Sequence, residues 1–227
     1  MRAVTIVIAA TFTLAGCSAT TSSDPGLPTS VAPSSSPSAN ILDSAIESTV
    51  SRGTARLSIS IDSQDDHISG SGSTSLANGH GELNWRNQGL DQSWIDLLDS
   101  DGTYTFVGDS WFLAPQGTST PTSGNISPLS QIGILVPEEG NPLSGSIALT
   151  IESGMDFSDE EISNLAKICE MKLAVAVRLN PDGLINYIEK SFDCVGNEKV
   201  SVSELSDFGA PINLSTPEDA FSVDPNQ

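Results

Sequence analysis

The spacing of apolar residues along the chain changes character several times. Ile41, Leu42, Ala45, Ile46, Thr49 and Val50 recur at helical intervals and Arg52-Gly53 closes the run, which predicts an amphipathic helix of about ten residues. Beyond it the period becomes two. Leu57, Ile59 and Ile61 alternate with Arg56, Ser58 and Ser60, the signature of a strand with one buried face. Ile147, Leu149 and Ile151 repeat the pattern, as do Leu173, Val175, Val177 and Leu179. Strand-like segments also fall at residues 68–76, 81–85, 94–98 and 104–107. Asn78-Gly79, Asp101-Gly102 and Asn180-Pro181-Asp182-Gly183 sit between strand candidates, where tight hairpins need residues tolerant of positive φ. Successive hairpins predict an antiparallel sheet. A second helix is announced by Ser158-Asp159-Glu160-Glu161, a capping-box arrangement, followed by Ile162, Leu165, Ala166 and Ile168.

The expected fold is therefore α+β: one large, strongly curled antiparallel sheet, a half-barrel, wrapped over a few short helices. Curling is inferred because two short helices cannot cover the apolar face of about eight strands laid flat. Leu57, Ile59, Ile61, Phe106, Leu149, Val175 and Val177 are expected to face inward around an apolar cavity, with Ile46 and Val50 of the first helix meeting them.

Ahead of this domain the pattern is different. Arg2 is followed by an uncharged, mostly apolar run over residues 3–15, too short for a membrane span but suited to a signal peptide. It ends in Leu14-Ala15-Gly16-Cys17, which matches the bacterial lipobox. Residues 1–16 are thus expected to direct export and Cys17 to be lipidated, anchoring the chain at the extracytoplasmic face of a cell membrane. Residues 17–40, rich in Ser, Thr, Pro and Ala, read as a disordered tether with a reach of about 25 Å. Residues 41–218 read as a single domain and 219–227 as a flexible tail.

Charge narrows the partners. With 9 basic and 29 acidic residues the chain carries a net charge of −20, and loss of Arg2 with the signal makes it −21. Nucleic acid would be repelled by that field, and so would anionic headgroups, leaving the acyl anchor to hold the membrane. No partner chain is indicated, and a monomer is expected.

No catalytic, metal or cofactor site is expected, so the chain does not read as an enzyme. His67 and His80 lie in Ser- and Gly-rich surroundings with no marked nucleophile, and no Gly-x-Ser-x-Gly, His-Glu-x-x-His or phosphate loop occurs. Asp99-Ser100-Asp101-Gly102 lacks the later ligands of a calcium loop and reads as a hairpin turn. Asp62, Asp65 and Asp66 read as an exposed turn, with weak calcium binding as the alternative. Trp85, Trp94 and Trp111 are read as core filling, with a rim for a ligand's apolar tails and a platform for sugar rings as the two other roles.

With Cys17 acylated, Cys169 and Cys194 are left as an even pair in an exported protein, where oxidation is the default. A turn at Asn180-Pro181-Asp182-Gly183 with Asn180 opposite Gly183 makes paired positions sum to 363, which sets Cys169 opposite Cys194, or diagonal to it if Gly183 forms a bulge. A disulfide tying the end of the second helix to the sheet is expected.

Taken in order, the first helix, Thr54-Ala55-Arg56-Leu57-Ser58-Ile59-Ser60-Ile61, the meander, Asp101-Gly102-Thr103-Tyr104 leading to Trp111, the hairpin at residues 180–183 and the ending Leu205-Ser206-Asp207-Phe208-Gly209-Ala210-Pro211-Ile212 resemble the actinobacterial LppX and LprG type of lipoprotein. The resemblance covers most of residues 41–217. It implies a LolA-like fold, a twisted sheet over helices around a cavity for the acyl chains of lipids or glycolipids, and a role in binding or shuttling them in the envelope. The chain departs from that family between Trp111 and Ile147, where residues 117–124, rich in Ser, Thr and Gly, and then Ile132-Gly133-Ile134-Leu135-Val136 make a segment that reads as shorter and turn-rich instead of helical, so the cavity is expected to be smaller or absent. The other function class is a cell-surface interaction module with a filled core, recognising a protein or glycan through its loops.

Overall fold

The computed structural model describes residues 39–64, 66–118 and 120–222, so the leader, Cys17 and the tether to residue 38 lie outside the described residues. Helix α1 (Ala39–Val50) places Leu42 and Ala45 in the core. Its docking is polar as well as apolar: the Thr49 hydroxyl donates to Ala45 O at 2.6 Å and accepts from Ile185 N at 2.9 Å, joining helix to sheet. The chain leaves the helix through Gly53, whose φ of +81° suits a residue without a Cβ.

Six strands follow as a meander: β1 (Thr54–Ser63), β2 (His67–Ser75), β3 (Gly81–Asn87), β4 (Gln92–Leu98), β5 (Gly102–Val107) and β6 (Ser110–Pro115). Helices α2 (Pro121–Ile126) and α3 (Pro128–Ile132) then carry the chain to the far edge of the sheet. There it resumes with β7 (Val136–Glu138), β8 (Asn141–Ala148), a 3-10 turn (Ile151–Ser153), α4 (Asp159–Leu165), β9 (Lys172–Leu179), β10 (Ile185–Cys194) and β11 (Asn197–Ser206). β11 pairs antiparallel with β1, for example Leu57 opposite Leu205 and Ile61 opposite Ser201, which fuses the two meanders. A last strand, β12 (Phe221–Ser222), lies parallel to β6, so two residues of the expected tail form sheet. The result is one twelve-stranded sheet in the order β12-β6-β5-β4-β3-β2-β1-β11-β10-β9-β8-β7.

The α+β class and the large antiparallel sheet are as expected, but the sheet is neither closed nor strongly curled. Its physical reason lies in the crossing segment. The stretch expected to be turn-rich forms α2 and α3, and Ile126, Leu129 and Ile132 from it are buried in the same core as Leu57, Ile59, Leu173 and Val175. Met155 and Phe157, after the 3-10 turn, add to that cover. With four helices and an extended segment on one face, the apolar side is covered without a tight curl. One further detail differs from expectation, and one agrees with it. Ile151 belongs to the 3-10 turn, because β8 ends at Ala148, although Leu149 stays buried. The capping box forms as predicted: Ser158 Oγ accepts from Glu161 N, and Glu161 Oε2 accepts from Ser158 N at 2.8 Å. That backbone hydrogen bond from Ser158 also holds the Glu161 carboxyl below its usual range.

Candidate functional site

An apolar cleft of about 290 Å³ opens between the C-terminal half of α1, the β2–β3 turn and the start of α3. Ile46 and Val50 form one wall and Leu129 with Pro128 the other, while Leu76 supplies the floor. Leu76 and Leu129 are also core residues, so the cleft ends directly on the hydrophobic core. Its rim is neutral: Asn78, Ser127 and Ser130 are polar, and no lining side chain is charged. The volume stands at the lower end of the roughly 300–1,000 Å³ usual for small-molecule sites.

Local sequence explains the shape. Gly79 has φ +70°, and a Cβ there would come within 1.9 Å of Ser127 Oγ. The Ser127 hydroxyl instead donates to Gly79 O at 2.9 Å. Below it, Thr74 Oγ1 donates to Ile126 O at 2.6 Å. These two bonds tie the α2–α3 corner to the β2–β3 hairpin and fix the far wall against the floor.

Of the residues expected around a cavity, Ile46 and Val50 line this cleft. Leu57, Ile59, Ile61, Leu149, Val175 and Val177 are buried against one another and their neighbours in the core and line no part of it. Phe106 is a correction. Its cross-strand partners are Ile95 and Trp111, whereas the core-facing Trp94 and Asp96 share their face with Thr105. Phe106 therefore lies on the opposite side of the sheet, with Leu97 and Tyr104, and packs on Trp111 at 5.1 Å between ring centroids. In β5 the hydroxyl-bearing alternate, not the aromatic one, faces the helices.

The reason is a buried carboxylate. Asp96 is 4% exposed and accepts from Trp94 Nε1 at 3.2 Å, Thr105 Oγ1 at 2.6 Å and Thr122 Oγ1 at 2.9 Å. Burial raises its pKa, and those donors oppose the shift. Trp85 acts on the same carboxylate more weakly, although its buried Nε1 falls outside hydrogen-bond geometry. Trp85 is thus core, stacked on the half-exposed Trp94 at 5.8 Å and 16°.

A second buried ion lies in β10. Lys190 is 1% exposed, donates from Nζ to Ser153 O in the 3-10 turn, and has its pKa lowered by desolvation to about 8. Neither Asp96 nor Lys190 was singled out by sequence, and the only signal for either was a charged residue on the wrong beat of a period-two run.

Cys169 and Cys194 are brought to disulfide distance, with Cα atoms 5.8 Å apart. The register differs from the expected one. Gly183 N donates to Asn180 O as predicted, but a bulge between Ile185 and Tyr187 makes later pairs sum to 365, such as Ile188 opposite Val177. Cys169 precedes β9 and reaches Cys194 from the loop after α4. His67 bonds Asp62 across the β1–β2 ladder, and among the described residues no cluster of three or more His, Cys, Asp or Glu could hold a metal ion. No helix among the described residues is long and apolar enough to cross a membrane. Compared with protein-family profiles and with curated proteins, the sequence finds no match.

Proposed function

We propose that this chain is a membrane-anchored extracytoplasmic lipoprotein that binds one acyl chain of a lipid or glycolipid in the cleft beside α1. The observation that carries the reading is the cleft itself: apolar walls from Ile46, Val50 and Leu129, a floor continuous with the core, and a neutral polar rim that suits the ester or hydroxyl end of a lipid. The lipobox at Cys17 and the Ser/Pro-rich tether supply the anchor in this reading. A large antiparallel sheet with helices on one face also fits a LolA-like carrier whose cavity is reduced to a slot at the helix layer.

Native mass spectrometry of the unacylated Cys17→Ser chain, purified without detergent, tests this. An added mass of one lipid is expected, and Ile46→Trp should remove it. A bare-chain spectrum for the parent would contradict lipid binding, and an unchanged adduct in Ile46→Trp would contradict this cleft.

The second reading, a surface interaction module, draws support from Ile134 and Val136, 64% and 67% exposed beside and within the edge strand β7. Exposed apolar residues at a sheet edge suit a protein partner.

A further inference from the structure

The buried Asp96 poses a question that the cleft does not answer. A carboxylate with 4% exposure is costly to keep, yet three donors converge on it, and one of them is the Trp94 indole. The effect is to immobilise a single ring. Trp94 is stacked on buried Trp85 along one face and held by its N–H to Asp96 at the edge. Its remaining surface borders a separate open groove of about 430 Å³, lined by Gln92, Ser93, Trp94, Thr105, Val107 and Gly108.

We propose that Trp94 is the platform of a second ligand site, which takes a neutral sugar ring. The face of an indole is electron-rich, and the C–H face of a pyranose carries the complementary partial charge. Gln92, exposed and on the same face of β4 as Trp94, lies alongside with an amide to meet ring hydroxyls. An aliphatic chain laid over the same surface would cover that amide without offering it a partner. No charged side chain lines the groove, and the net charge of −20 disfavours acidic sugars. Because Trp94 is already held in place, little side-chain entropy is lost on binding. Asp96 touches no ligand and is a positioning residue.

An array of neutral and acidic oligosaccharides, probed with the full unacylated chain, tests the site. Binding to at least one neutral oligosaccharide is expected, with a shift in tryptophan emission. Trp94→Ala should weaken it at least tenfold and Trp94→Phe less. Gln92→Ala, at an exposed position, should weaken it several-fold without touching the fold, so the test survives if Trp94→Ala misfolds. No retention of any neutral oligosaccharide, retention of acidic ones alone, or binding indifferent to Gln92→Ala and Trp94→Phe would each overturn the proposal. Lipid recovery from the α1 cleft should be unchanged by Gln92→Ala, so the two sites fail or stand separately.

Discussion

Lys190 is the residue whose chemistry departs furthest from its surroundings. Its folded pKa of about 8 lies below the ordinary 10.5, so the unfolded chain binds more protons between those values. Stability contributed by this group therefore rises as pH goes from about 8 to 10.5, and below 8 burying the charge costs about 3 kcal/mol. Lys190→Met should lack that rise. Urea unfolding of both proteins at pH 7, 9 and 10 checks this, because the difference between them cancels the repulsion among the remaining charges. A constant difference across that range would mean that Lys190 is not buried as a free amine. Asp96 is the mirror case. Its folded pKa is raised, so its stabilising contribution is complete at low pH and lost as pH rises through that pKa. Such residues are hard to read from sequence, since Lys190 takes the inward beat between Ile188 and Phe192 where the alternation leads one to expect an apolar residue.

Among the elements, strands with consistent alternation were legible and those carrying polar inward residues were not. β1 and β9 bury the residues their period indicates. β5 runs against its aromatic alternation at Phe106, because Thr105 faces inward to donate to Asp96 and Thr103 faces inward to meet Thr120, just ahead of α2. Helices α2 and α3 were hidden by Pro, Ser and Gly, and what holds them is tertiary: Thr122 to Asp96, Thr74 to Ile126 O and Ser127 to Gly79 O. The β9–β10 hairpin shows its turn in the sequence but not the bulge between Ile185 and Tyr187. Its cysteine pair predicts two outcomes. Denatured, unreduced chain should titrate without free thiols at Cys169 and Cys194. Cys169→Ala with Cys194→Ala should lose on the order of 3 kcal/mol in denaturant unfolding, for a bridge across a separation of 25 residues. Two free thiols in the parent would remove the bridge.

At the scale of the molecule, the large antiparallel sheet follows from hairpin turns, while its lack of strong curl follows from how much chain lies on one face. That distinction relocates the candidate site. Val177 is buried at 5% exposure in a filled core, so Val177→Trp should destabilise by about 1–3 kcal/mol through overpacking and leave lipid stoichiometry in the folded fraction unchanged. Ile46→Trp should do the reverse, with a small loss of stability and loss of the ligand, because Ile46 is only partly buried and lines the cleft. The core residues were legible from period two, but the cleft was not, since it is made by a hairpin turn and a helix that meet only in three dimensions. The most direct test uses a fatty acid carrying a terminal photoreactive group, crosslinked to the chain and mapped by peptide mass spectrometry. The account predicts adducts concentrated on Ile46, Val50, Leu76 and Leu129; adducts confined to other segments, or none above the level of an unrelated protein, would contradict it.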